Sequence, residues 1–119
     1  MSKTNYYSKA ASSAQLGLSF NIENSIVVSE ALLKFSLEHG YPEQSKEIES
    51  IRGCILALKD GKIGEAKREF ARVHFGKEGF DEWWPEVVFE NENDNYVKVV
   101  FTGLCQQWRN ELRAFPTTS

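Results

Sequence analysis

The sequence predicts an all-α domain, a single bundle of about four helices with a long acidic loop before the last one. Three observations predict it. Apolar residues recur every three or four positions in four separate windows, the mark of helices with one buried face. Glycine and proline punctuate the gaps between windows, at Gly40, Pro42, Gly61, Gly76, Gly79 and Pro116. The length of 119 residues and the 41% apolar content suit one globular unit with an ordinary core.

Residues 1–21 hold five serines and only two charges, which predicts a loosely ordered arm ahead of a helical domain over 22–115. Tyr6 and Tyr7 are placed to pack back on that domain. The first helix is predicted over about Asn24–His39, capped by Asn24 or Ser25. Its stripe is Val28, Ala31, Leu32 and Phe35, widened by Leu33 and Leu37. His39 and Gly40 end it, a left-handed glycine following a cation-capable residue.

Pro42 suits the first turn of a second helix, where its missing N–H is not needed, and Glu43 and Glu47 favour that positive end. Ile48, Ile51, Ile55 and Leu58 form the stripe. Gly53 in its middle implies that a neighbouring helix crosses closely there, and Asp60-Gly61 stops it. A third helix is predicted from Ile63 to about His74, with Ile63, Ala66, Phe70 and Val73 facing inward. The tight Asp60-Gly61-Lys62 link makes helices two and three an antiparallel hairpin. The basic residues Lys62, Lys67, Arg68, Arg72 and Lys77 interleave with Glu65 and Glu69 and read as a solvated mixed face.

Gly76 to Asn95 is the most unusual stretch. It holds Glu78, Asp81, Glu82, Glu86, Glu90, Glu92 and Asp94 against one base, Lys77, with Trp83-Trp84-Pro85 in its middle. This local −6 exceeds the −3 of the whole chain, so the remainder is net positive. A final helix follows, capped by Asp94 or Asn95 and running to Ala114, with Val97, Phe101, Leu104, Trp108 and Leu112 on one face. The alternative is an α+β fold with a hairpin over 86–101, turned at the polar Asn91–Asp94 step. The alternation Val97, Val99, Phe101 supports it; the stripe continuing through Trp108 favours helix.

Composition excludes several classes. A pI of about 5.4 argues against general nucleic-acid binding and against docking on anionic membrane. No apolar run approaches the roughly 18 residues of a membrane span. Lys3 and Lys9 are followed by no continuous apolar segment, so no signal peptide is expected and the location is read as cytoplasmic. Cys54 and Cys105 have no C-x-x-C spacing and read as reduced, buried thiols. His39 and His74 lack ligand partners at i+3 or i+4, and Glu90, Glu92 and Asp94 lack the glycine and terminal glutamate of a calcium loop. Glu43, Glu47 and Glu49 do not match the Glu-x-x-Glu spacing of helical pyrophosphatases. No G-x-S-x-G elbow occurs, and Gly61-Lys62-Ile63-Gly64 reads as a turn. No cofactor, metal or catalytic residue is expected, and no enzyme activity.

What remains is a docking surface. Glu78, Asp81, Glu82, Trp83, Trp84, Glu86, Glu90, Glu92 and Asp94 are the expected partner-binding residues. One tryptophan is expected to pin the loop and the other to stay exposed, since polar-rimmed tryptophans are enriched among binding hot spots.

Ala66-x-x-x-Phe70, then Gly79-Phe80-Asp81-Glu82-Trp83-Trp84-Pro85, then a helix containing Trp108, resembles bacterial immunity proteins of contact-dependent growth inhibition and related polymorphic toxin systems. The likeness covers residues 60–114. It implies an inhibitor that binds a cognate toxin domain one to one without turnover. Many such toxins are nucleases with basic clefts, where acids can take the place of phosphate. The alternative reading is a helical adaptor or phage-encoded inhibitor that binds another host protein.

Overall fold

The computed structural model describes residues 21–116. Among them lie α1 (Ile22–Glu38), α2 (Lys46–Lys59), α3 (Ile63–Ala71), a 3₁₀ turn (Phe80–Glu82) and α4 (Asp94–Ala114), with no strand. The fold is all-α, and the hairpin alternative over 86–101 is overturned. The second half of that window, from Asp94 onward, is the start of α4, and residues 83–88 have no strand beside them. The expected arm over 1–21 lies, apart from Asn21, outside the described residues.

Three helices start elsewhere than expected, each at a cap the sequence reading did not name. Asn21 caps α1, its side chain accepting from the Asn24 N–H at 2.9 Å. Asn24 and Ser25 therefore lie inside the helix. Ser45 caps α2 through the Ile48 N–H, so Pro42 sits in the preceding turn, where its carbonyl accepts from the Ser45 N–H. Asn93 caps α4 at 2.9 Å from the Tyr96 nitrogen. Asp94 then falls in the first turn, which the helix dipole favours. At its far end α3 stops at Ala71, three residues before His74.

Three cross-links set the direction of α4 against α1. The Asn24 side-chain amide donates to Glu111 at 2.8 Å, the Trp108 indole donates to Ser29 at 2.9 Å, and His39 pairs with Glu92 at 2.8 Å. One partner number rises as the other falls, so the two helices are antiparallel. Between them the chain forms the α2–α3 hairpin, turned at Gly61 (φ +73°) and packed on α1 through α2. A Cβ at Gly53 would come within 2.9 Å of the Glu69 carboxyl carbon, so α3 crosses α2 closely there, as its glycine implied.

The core is built from Leu32, Ile48, Ile51, Leu58, Val97, Phe101, Trp108 and Leu112, all buried. On α1 the buried face differs from the expected leucine stripe. Ser25, Ser29 and Ser36 are fully buried, whereas Leu33 and Leu37 are only partly so. Small side chains let α4 approach, and the hydroxyls of Ser25 and Ser29 meet its polar atoms, Glu111 and Trp108, while the Ser36 hydroxyl is buried without a hydrogen-bond partner among the described residues. Ser29 Oγ donates to the Ser25 carbonyl at 2.6 Å and accepts from Trp108. The Trp108 ring lies edge-on to Phe70, 5.0 Å between centroids, a favoured aromatic geometry. Lys67 on α3 donates to the carbonyls of Leu112 (3.3 Å) and Phe115 (2.9 Å), closing the C-terminal end of α4 with a cation.

Cys54 and Cys105 are buried free thiols. Burial above all pushes both up to about 12, aided by the charges of Glu69 at Cys54 and Asp81 at Cys105. Among the described residues no helix is long and apolar enough to cross a membrane.

Candidate partner-binding surface

The acidic loop is an ordered structure fastened at several points. It leaves α3 through Gly76 (φ +94°) and Glu78, which is also left-handed (φ +59°). The chain then folds back so tightly that a Cβ on Gly79 would lie 2.7 Å from the backbone of His74 and Phe75. That approach lets the Phe80 N–H donate to the His74 carbonyl at 2.7 Å. Phe80 is thereby driven into the core, edge-on to Tyr41 and to Phe101 at 5.1 Å each.

Trp83 follows it inward. Its ring meets Tyr41 at 4.8 Å and Phe101 at 5.0 Å, both near perpendicular. Trp83 is the pinning tryptophan. Trp84 is the exposed one, with 56% of its surface open. Pro85 is buried, and the chain then emerges with Val87, Val88 and Phe89 each 44–50% exposed. Scattered exposed apolar residues are normal, but four within six positions form a ridge.

Lys98 on α4 holds the near end of this ridge. Its ammonium donates to the carbonyls of Asp81 and Trp83, both at 2.8 Å, and lies 5.5 Å from the centre of the Trp84 ring. His39 holds the far end. The ring is 2% exposed and stacked on Phe35, 3.9 Å between centroids and 19° from parallel. Nδ1 lies 2.9 Å from the Phe35 carbonyl and Nε2 lies 2.8 Å from Glu92 Oε2. The His39 carbonyl accepts from the Glu86 N–H at 2.9 Å.

The expected docking acids divide into two groups. Asp81 accepts from the Gly76 N–H, and Glu82 from the Glu78 N–H, both at 2.9 Å. Glu92 goes furthest inward: Oε1 accepts from the Val88 and Phe89 N–H groups at 3.1 Å, while Oε2 faces His39. Burial works to raise the Glu92 carboxyl. Hydrogen bonds from His39, Phe89 and Val88, together with the His39 charge, outweigh it and hold the group below the usual range. With 8% of its side chain exposed, Glu92 is taken up by contacts within the fold, and Trp83 is half-buried against Tyr41 and Phe101. Glu78, Glu86, Glu90 and Asp94 are exposed, and their carboxylates make no hydrogen bond or ion pair among the described residues.

Two residues that sequence reasoning did not place in the site prove central. Lys98 carried a faint signal, as the first base after seven acids. His39 carried none toward Glu92, 53 residues away.

Among the described residues no group of three or more His, Cys, Asp or Glu is arranged to hold a metal ion. A half-open cleft of about 280 Å³ between α2 and α3 is lined by Gly53, Leu56, Ala57, Asp60, Lys62, Glu65 and Glu69. Its one cation, Lys62, is already paired with Asp60 at 3.2 Å. The cleft holds no nucleophile beside a base. No protein-family model, curated protein or solved structure matches the chain.

Proposed function

We propose that this chain is a stoichiometric binding protein whose contact surface is the ridge of Trp84, Val87, Val88 and Phe89, framed by Glu86, Glu90 and Asp94. The observation that carries the reading is the combination of exposure and anchoring. Four large apolar side chains stand in solvent on a segment fastened by Lys98, His39 and Glu92. A pre-ordered surface loses little freedom on binding, so more of the contact energy appears as affinity. The acidic frame selects a partner with a basic contact face and speeds encounter with it. An immunity protein that neutralises a basic, nuclease-type toxin domain is the specific form of this reading, and the resemblance of residues 60–114 to such proteins supports it.

The test is calorimetry and stopped-flow binding with the purified toxin domain encoded beside this gene. A one-to-one complex is expected. Trp84→Ala should raise Kd by thirtyfold or more, on the order of 2 kcal/mol for a hot-spot tryptophan. Glu86→Lys with Glu90→Lys should slow association most at low salt. Absence of a complex with that domain sinks the toxin reading. Binding that is indifferent to all three substitutions sinks the surface itself.

A further inference from the structure

We propose that His39 and Glu92 form a proton-operated clasp, which keeps the Val87–Phe89 tip in its ordered, exposed posture while the imidazole is doubly protonated and releases it when one proton leaves. The clasp itself rests only on geometry; its consequence for binding rests on the surface proposed above.

Both ring nitrogens of His39 point at atoms that accept, the Phe35 carbonyl and the Glu92 carboxylate. A neutral imidazole carries one N–H, so one of these contacts would set lone pair against lone pair. Only the imidazolium donates to both. The ring is buried, so water offers little substitute, and the nearly buried carboxylate would lose its counter-charge in the same event.

The other ionisable groups on the neighbouring elements are carboxylates and one phenol. Glu38 precedes the ring on α1. The Glu86 carboxylate lies across Gly40, where a Cβ would sit 2.5 Å from its oxygen. Tyr41 stays a neutral phenol, raised by burial and by Glu47. Asp94 opens α4. None is a base.

The mechanical consequence follows from what the pair holds. Glu92 fastens the amides of Val88 and Phe89, the His39 carbonyl fastens that of Glu86, and the Phe89 ring rests edge-on to the imidazole at 5.7 Å. These contacts join the apolar tip to the end of α1 through one residue. The link therefore depends on how many protons this one ring carries.

The experiment is ¹⁵N NMR on the free full chain between pH 5.5 and 8.5, which needs no partner. Expected are upfield movement of the Val88 and Phe89 amide protons and a fall in the heteronuclear NOE over 87–90. Both should share one midpoint with the His39 ring signals, while α2 amides stay still. In His39→Gln and in Glu92→Gln the tip should be loose at every pH and flat across the range. Should His39→Gln fail to fold, the wild type and Glu92→Gln decide the matter. A ring that titrates without moving Val88 and Phe89 overturns the clasp, and so does a ring that holds one charge state throughout. With the partner in hand, Kd should rise about tenfold from pH 6 to 8.5 beyond any change shown by His39→Gln. A clasp that works without changing affinity would refute the docking role of the tip alone.

Discussion

Replacing Lys98 with methionine isolates the near fastening of the acidic loop. Methionine keeps most of the aliphatic stem and removes the ammonium, which also lies 5.8 Å from the centre of the Phe101 ring. The charge makes two 2.8 Å hydrogen bonds, to the carbonyls of Asp81 and Trp83, and lies 5.5 Å from the Trp84 ring. Hydrogen bonds to charged groups contribute about 1.5–3 kcal/mol each, but Lys98 is only partly buried and water can replace part of each bond, so about 1 kcal/mol apiece is expected. The exposed cation–π contact adds about 0.5 kcal/mol. The total, about 2–3 kcal/mol, corresponds to a Tm lower by roughly 8–12 °C in a domain of this size. Thermal melting followed by circular dichroism measures it, and tryptophan fluorescence should shift to the red as Trp83 leaves its pocket. Lys98→Arg should recover part of the loss. A Tm within 1 °C of wild type with unchanged fluorescence would mean that Phe80 and Trp83 hold the loop by packing alone.

Three further outcomes follow from the same structure. Trp108→Phe should cost about 1–3 kcal/mol in urea denaturation, and a double-mutant cycle with Ser29→Ala should show coupling of roughly 1 kcal/mol from the shared hydrogen bond. Gly40→Ala places a Cβ at φ +101° and 2.5 Å from the Glu86 carboxylate, so it should destabilise by about 1–2 kcal/mol, with Glu86→Ala relieving only the steric share. Cys54 and Cys105 should ignore an aromatic disulfide reagent at pH 8 in the native state and both react in denaturant. Their folded values are raised to about 12, so the stability they lend is complete below the ordinary thiol range and fades as pH climbs from there.

Periodicity made the four helices legible, because each has to bury one face and the spacing of Ile48, Ile51, Ile55 and Leu58 or of Val97, Phe101 and Trp108 shows which. Their starts were less legible. Asn21 and Asn93 each stand near a second residue that caps equally well, and the choice depends on tertiary use, while Pro42 drew the expected start of α2 ahead of Ser45. Asn24 and Ser25, for example, are drawn to Glu111. The serine face of α1 was illegible for a similar reason, since only the close approach of α4 makes a small hydroxyl residue preferable to leucine. Within the acidic loop, counting charges found the segment but not the division of labour. An acid that caps an N–H three or four residues away has the same sequence signature as one that waits for a partner. Glu92 differs from Glu90 only in what lies beneath it, and that comes from α1.

The hydrogen bond between Ser29 and Trp108 spans 79 residues of chain. During synthesis at about 5–20 residues per second, Ser29 leaves the ribosome roughly 4–16 s before Trp108 does. The α2–α3 hairpin closes through local contacts in that interval, while the buried serines of α1 and the isoleucines of α2 await the helix that covers them. Folding of this domain is thus completed after translation of α4, and the nascent chain passes through a stage in which its future core is open to chaperones.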